Sequence, residues 1–312
     1  MPIPEDKAMQ WIVCLGIGAV AGVFSGLFGG SGGWFLVPAL TLCLPYAGIK
    51  SPEIVKIAIA TSLAVTVVTS FVTTRVYAAR GSVHWPALFL MLPGNAIGVI
   101  GAAAFAAHAD VTLVTLVFAG TAIYMASGMI GSRKLHLGHS APLPGLLNLS
   151  SRGLLAGGMV GIVGGGGLSM PIFAHYMTVQ RAIGTASALA VPTAVIAVST
   201  YASAQPPPGC DGSCFGYIYL PAVCATGIAS VLFAPLGSAL AHSLPIPALK
   251  RILAAVLVLA ALNISRKALP HVDSIEREAK AELASLMPGF SLCKARRMLK
   301  PVRFGGSQAP AR

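Results

Sequence analysis

Apolar runs near or above the ~20 residues that cross a bilayer follow one another along most of the chain, separated by short polar breaks. They lie near 9–44, 54–78, 85–107, 111–131, 153–175, 181–204, 216–241 and 249–265 and predict a helical membrane protein throughout. Two of the runs are interrupted by glycine. The first reads Gly-Leu-Phe-Gly-Gly-Ser-Gly-Gly at 26–33, before Pro38; the second reads Gly-Ile-Val-Gly-Gly-Gly-Gly at 161–167, before Pro171. Glycine has the lowest helix propensity after proline, so these runs should unwind a helix and strand backbone groups that lipid cannot satisfy. Such a break is tolerated where protein or a wet cavity surrounds it, which places both runs at the working centre of the molecule.

The interrupted runs recur with company. Ala58-Ile59-Ala60-Thr61 matches Ala182-Ile183-Gly184-Thr185, preceded by Lys56 and Arg181, and Pro86-Ala87 and Gly101 match Pro221-Ala222 and Gly237. Features repeated in one order predict two homologous four-segment repeats, each with its first segment broken by a Gly-rich run. The stretches are 1–131, a polar linker at 132–152, 153–267, and a basic tail at 268–312. Equivalent loops differ in charge: 78–84 follows Arg75 and carries Arg80 and His84, whereas 205–215 carries Asp211 and no base. Loops of opposite charge face opposite sides, so the repeats are expected to be inverted, with substrate at their interface.

Composition agrees with a multi-pass protein of a cell membrane. Charged residues make up 10% of the chain, hydrophobic residues 55%, and the mean hydropathy is +0.80, against about 25% charged in soluble domains. The net charge of +12 does not mark a nucleic-acid binder, because about half of the 21 Lys and Arg lie from Arg266 onward. The tail reads as a short amphipathic helix and a basic end, in contact with lipid headgroups or simply solvated. Glu5 and Asp6 ahead of the first run are unlike the basic start of a cleaved signal peptide.

In these Gly-rich segments ending in an apolar run and Pro, the Ala-Ile-x-Thr starts and the four-plus-four hydropathy, the chain resembles the TauE/SafE family of sulfite exporters. The resemblance covers about 9–266. It implies a permease without ATPase or covalent chemistry that moves sulfite, organosulfonates or other small sulfur-containing anions. Ser31 within the first Gly run, and Thr185-Ala186 where the first repeat has Thr61-Ser62, depart from a strict match.

The acidic residues narrow the chemistry further. All nine Asp and Glu fall at span ends, in loops or in the tail, so a cation or proton relay built on intramembrane carboxylates is not expected. Helices that restart after a Gly run instead aim free N–H groups and a partial positive charge at the break, which suits a small anionic substrate. The candidate substrate-binding residues are Gly29, Gly30, Ser31, Gly32, Thr61, Ser62, Gly164, Gly165, Gly166, Gly167, Ser169 and Thr185. Their hydroxyls either donate to substrate oxygens or bond back to helix carbonyls. Lys56 and Arg181 either draw anions inward or snorkel to the interface, and Asn95 is expected to make a packing hydrogen bond. No catalytic residue, cofactor or metal set is expected: the six Cys lack metal spacing with His, and only Cys210 and Cys214 lie close enough to pair. A transporter is the leading reading; a sulfur-handling membrane enzyme or relay using Cys or His, or a passive anion channel, is the alternative.

Overall fold

The computed structural model describes residues 5–29, 32–45, 49, 51–131, 144–165, 169–208, 210 and 213–243, all within the unit Met1–Ala268. Over these residues the chain forms α1 (Glu5–Phe28), α2 (Gly33–Cys43), α3 (Ile54–Ala79), α4 (Trp85–His108), α5 (Val111–Gly131), α6 (Leu146–Val163), α7 (Ser169–Ala174), α8 (Val179–Ala202), a hairpin of β1 (Cys214–Phe215) and β2 (Ile218–Tyr219), and α9 (Leu220–Ser243). Six helices are long and apolar enough to cross a membrane: α1 over Trp11–Phe28, α3, α4, α6, α8, and α9 over Leu220–Ala241. Polarity is distributed as lipid demands. Phe89, Ile97, Leu155 and Leu232 are exposed, while Thr61, Ser62, Ser70, Thr73 and Thr185 are buried.

The spans expected at 54–78, 85–107 and 111–131 correspond closely to α3, α4 and α5. Two features differ from the sequence reading. α6 opens at Leu146, inside the stretch read as linker, where Leu149 is buried and Ser150 Oγ donates to the Leu90 carbonyl at 2.8 Å. The loop before α9 contains the antiparallel hairpin, pairing Cys214 with Tyr219 and Phe215 with Ile218, and a Cys210–Cys214 disulfide joins its start to the preceding coil. The run at 249–265, linker residues 132–143 and the tail at 268–312 lie outside the described residues.

Two glycine seams hold long helices together. α1 runs alongside α9 in the same direction, with Gly18, Gly22 and Gly26 against the carbonyls of Thr226, Ser230 and Ala234. A Cβ at any of the three would fall inside the van der Waals surface of the facing carbonyl oxygen. Glycines four apart share one helix face, so the backbones approach closely enough for Ser230 Oγ to donate to the Gly18 carbonyl at 2.7 Å. α6 runs alongside α4 in the same way, through Gly153, Gly157 and Gly161 against Met91, Asn95 and Val99.

Between these pairs α3 and α8 pack antiparallel. Tyr77, near the end of α3, clusters with Val179 and Ile183 at the start of α8, and Leu63 and Thr66 face Ala190 and Ala194 across a crevice. The phenols close the seams from here: Tyr77 Oη donates to the Gly26 carbonyl at 3.1 Å and Tyr201 Oη to the Gly161 carbonyl at 2.8 Å. Both acceptors sit in the last turn of a helix, where carbonyls lose their intrahelical partners.

The ends of the bundle differ in charge. Among the described residues, Arg75, Arg80, Arg152 and Arg181 lie toward the end where α3 finishes and α4, α6 and α8 begin. Glu53, Asp110 and the disulfide lie at the other end. Lys56, also at that end, is only 3% exposed; its Nζ donates to Glu53 Oε1 at 3.0 Å and to the Ala107 carbonyl at 3.2 Å. Tyr217 Oη donates to the other carboxylate oxygen at 2.8 Å.

Candidate functional site

The two glycine breaks meet. α1 ends at Gly29, whose φ of +69° only glycine adopts without strain, and the chain turns back so that Gly32 packs on Ala21 and Ser25 of α1 itself. α6 ends in the same fashion at Gly164, with φ +75°. The start of α2 then lies directly against the second break. A Cβ on Gly33 would penetrate the Gly164 carbonyl, and one on Gly165 would sit 2.7 Å from Trp34 Cδ1 and 3.0 Å from its Nε1. Each left-handed glycine also packs on the isoleucine that the sequence comparison pairs: Gly29 against Ile183, Gly164 against Ile59.

Beside this junction is a crevice lined by Leu63, Thr66, Val160, Gly164, Ser169, Ala190, Thr193 and Ala194. About 10 Å³ is open to the centre of a water-sized sphere, room for a single water. Among the described residues, no acid or base lines it. Its hydroxyls are tied to their own helices, Thr66 Oγ1 donating to the Ser62 carbonyl at 2.8 Å and Thr193 Oγ1 to the Leu189 carbonyl at 2.7 Å. That leaves their oxygens as acceptors, whereas the buried indole Nε1 of Trp34 has no partner among the described residues.

The candidate residues read from the sequence divide by position. Gly29, Gly32, Ser62, Gly164, Gly165 and Ser169 lie in or beside the junction: Ser62 Oγ donates to the Ile59 carbonyl at 2.7 Å and lies 3.5 Å from the Gly164 carbonyl, and Ser169 lines the crevice. Gly30, Ser31, Gly166 and Gly167 lie outside the described residues. Thr61 and Thr185 are drawn apart, to opposite ends of the bundle. Thr61 Oγ1 accepts from the backbone N–H of Tyr219 at 3.1 Å, and Thr185 Oγ1 accepts from that of His84 at 2.9 Å. Each thus satisfies an N–H just ahead of a long helix, α9 or α4, and Thr185 also donates to the Arg181 carbonyl at 2.7 Å. Asn95 is fully buried and contacts Thr193, linking α4 to α8. Arg181 is exposed.

Sequence reasoning passed over Trp34, Thr66 and Thr193. The signal for Trp34 was its place directly after the first Gly run; the two threonines are polar residues in mid-span. Among the described residues there is no group of His, Cys, Asp and Glu able to hold a metal ion.

A family model described as "Sulfite exporter TauE/SafE" matches residues 14–264. A Haemophilus influenzae protein described as "Probable membrane transporter protein" is 28% identical over 264 residues, covering 82% of this chain and 98% of that protein. No solved structure matches the chain.

Proposed function

Because the chain belongs to the TauE/SafE family, and is thus a multi-pass membrane transporter, we propose that it carries sulfite, an organosulfonate or another small sulfur-containing anion by alternating access between two inverted repeats. The observation that carries this reading is the meeting of two unwound glycine breaks beside a crevice that no charged residue lines among the described residues. Neutral donors and helix ends attract an oxyanion without a permanent ion pair, so they also release it. A cation would be desolvated there with no negative charge to compensate.

Repetition and inversion are supported by equivalent contacts. Tyr77 with Gly26 and Tyr201 with Gly161 make the same bond in the two stretches, as do Thr185 with the His84 N–H and Thr61 with the Tyr219 N–H. The equivalent helices α3 and α8 run antiparallel, as a two-fold axis in the membrane plane requires.

Purified protein in liposomes tests the transport reading. Labelled sulfite should accumulate against its gradient when an ion gradient is imposed, saturably and chemically unaltered, while amines and metal cations are ignored. Amine or metal uptake with no response to any sulfur anion would reject it.

The topology has its own test. The arginine-bearing end is taken as cytoplasmic and the disulfide end as the oxidising side. With Cys14, Cys43, Cys224 and Cys293 replaced by Ser, Cys210 and Cys214 should react with an impermeant thiol reagent added outside only after an impermeant reductant. A cysteine at Ser82 should label only from the cytoplasmic side in a chain that also lacks the Cys210–Cys214 pair. Labelling from one common side would favour parallel halves.

A further inference from the structure

We propose that Trp34 is the substrate-sensing donor of this transporter: its indole N–H gives a hydrogen bond to an oxygen of the bound anion. The inference rests on the transport reading above and adds to it a side chain that composition and motif did not single out. Trp34 occupies the first turn of α2, immediately after the first glycine break, and is 2% exposed. Its ring packs on Phe118, with centroids 5.9 Å apart, which fixes the plane of the indole. The edge carrying Nε1 is turned to Gly165 of the second break. Among the described residues, nothing accepts its proton.

An indole N–H can only donate, so a buried one without an acceptor is a standing cost in this closed arrangement. The other unpartnered buried atoms among the described residues are the hydroxyls of Ser25, Ser70 and Thr74 and the amide nitrogen of Asn95. The hydroxyls can rotate, and the Asn95 carboxamide already touches Thr193. The Trp34 indole has a fixed direction, and that direction is across the seam between the two breaks. Were the seam to part, the indole N–H would face the space opened between Gly33 and Gly165, next to the crevice at Gly164. An oxyanion entering there would meet a rigid neutral donor, whereas a cation would meet the positive edge of the same dipole. The absence of a side chain at Gly165 keeps that approach open; a Cβ there would press on the indole.

The chain's three tryptophans make the test direct. Trp11 and Trp85 are exposed on the bundle surface, so Trp11→Phe with Trp85→Phe leaves Trp34 as the sole indole in an otherwise intact protein. Titration with sulfite should change its emission saturably, and sodium chloride at equal ionic strength should not. In liposomes, Trp34→Phe keeps the aromatic packing and removes the N–H, so the apparent affinity for sulfite should fall roughly tenfold or more. Phe118→Leu, which disturbs the ring contact but no donor, should fall by much less. The inference is overturned if the wild-type protein transports sulfite while Trp34→Phe retains wild-type affinity, or if the single-tryptophan protein transports sulfite with emission indifferent to it. If the wild-type protein moves no sulfur anion, the transport reading itself fails, and the inference with it.

Discussion

Gly33→Ala is expected to abolish transport, whereas Gly16→Ala should leave it intact. One methyl group separates the outcomes. At Gly33 the new Cβ would lie inside the Gly164 carbonyl, with the Gly164 carbon at 2.9 Å and Gly165 Cα at 3.1 Å, so it meets backbone on the second break and no side chain can swing aside. The two breaks must separate, which displaces Trp34 from Gly165 and opens the junction beside the crevice. At Gly16 nothing lies within 4 Å, and exchanging glycine for alanine within a helix should stabilise it by about 0.5–1 kcal/mol. Sulfite transport, normalised to the protein inserted in the liposomes, checks the contrast. Gly33→Ala protein with wild-type transport would show that contact between the breaks is dispensable. Gly165→Leu should fail alongside Gly33→Ala, because its side chain presses on the indole from the opposite side.

Glu53→Ala should lower the thermal midpoint of the purified protein by roughly 4–8 °C, and combining it with Lys56→Met should recover part of the loss. Lys56 is buried, and without the carboxylate its ammonium keeps only the Ala107 carbonyl and the Tyr217 ring, 5.7 Å from Nζ to centroid. Leaving a buried charge unpaired costs about 3–5 kcal/mol and breaking an exposed pair about 0–1. Glu53 is 24% exposed, which sets the expectation between those limits, near 2 kcal/mol, or about 2–4 °C of midpoint per kcal/mol. Equal losses in the single and double variants would mean that the charge is not what Glu53 compensates. The same carboxylate marks the upper pH limit of the cluster. Burial, and then donation to Glu53 and the nearness of its charge, push the Tyr217 phenol up to about 12. The bonded phenol therefore contributes stability below pH ~10, and that contribution is lost as pH rises through about 12; Tyr217→Phe should lack this alkaline step in a melting series.

Much of this molecule is legible from its sequence, and the limits have physical causes. Long helices whose ends are marked by Glu53, the Arg80-Gly81 turn, Pro86 or Asp110 stand out because apolar length and end chemistry coincide. The start of α6 does not, since Asn148, Ser150, Ser151 and Arg152 look like linker until Leu90 and Tyr176 are seen to receive two of them. Lys56 shows the same limit. A lysine at the head of a span reads as one that snorkels, and only the fold brings Ala107 and Tyr217 to it. The glycine runs announce the junction, but the threonines that follow them, alike in sequence, turn out to hold the backbone N–H groups of Tyr219 and His84. Pairing Trp34 with Gly165 requires the chain to fold back on itself twice, and no local pattern encodes that.

The seam between α1 and α9 also bears on how the protein is made. Ser230 and Gly18 are 212 residues apart in the chain, yet their helices lie backbone to backbone. When α1 leaves the ribosome its partner has not been synthesised, so the glycine stripe of Gly18, Gly22 and Gly26 must wait in the bilayer while α2 to α8 are threaded in. A contact this distant along the chain closes late, and a small-residue stripe offers lipid little to grip in the meantime. The α1–α9 seam therefore closes only after α9 has been inserted, so assembly of this interface waits on more than two hundred residues of further synthesis.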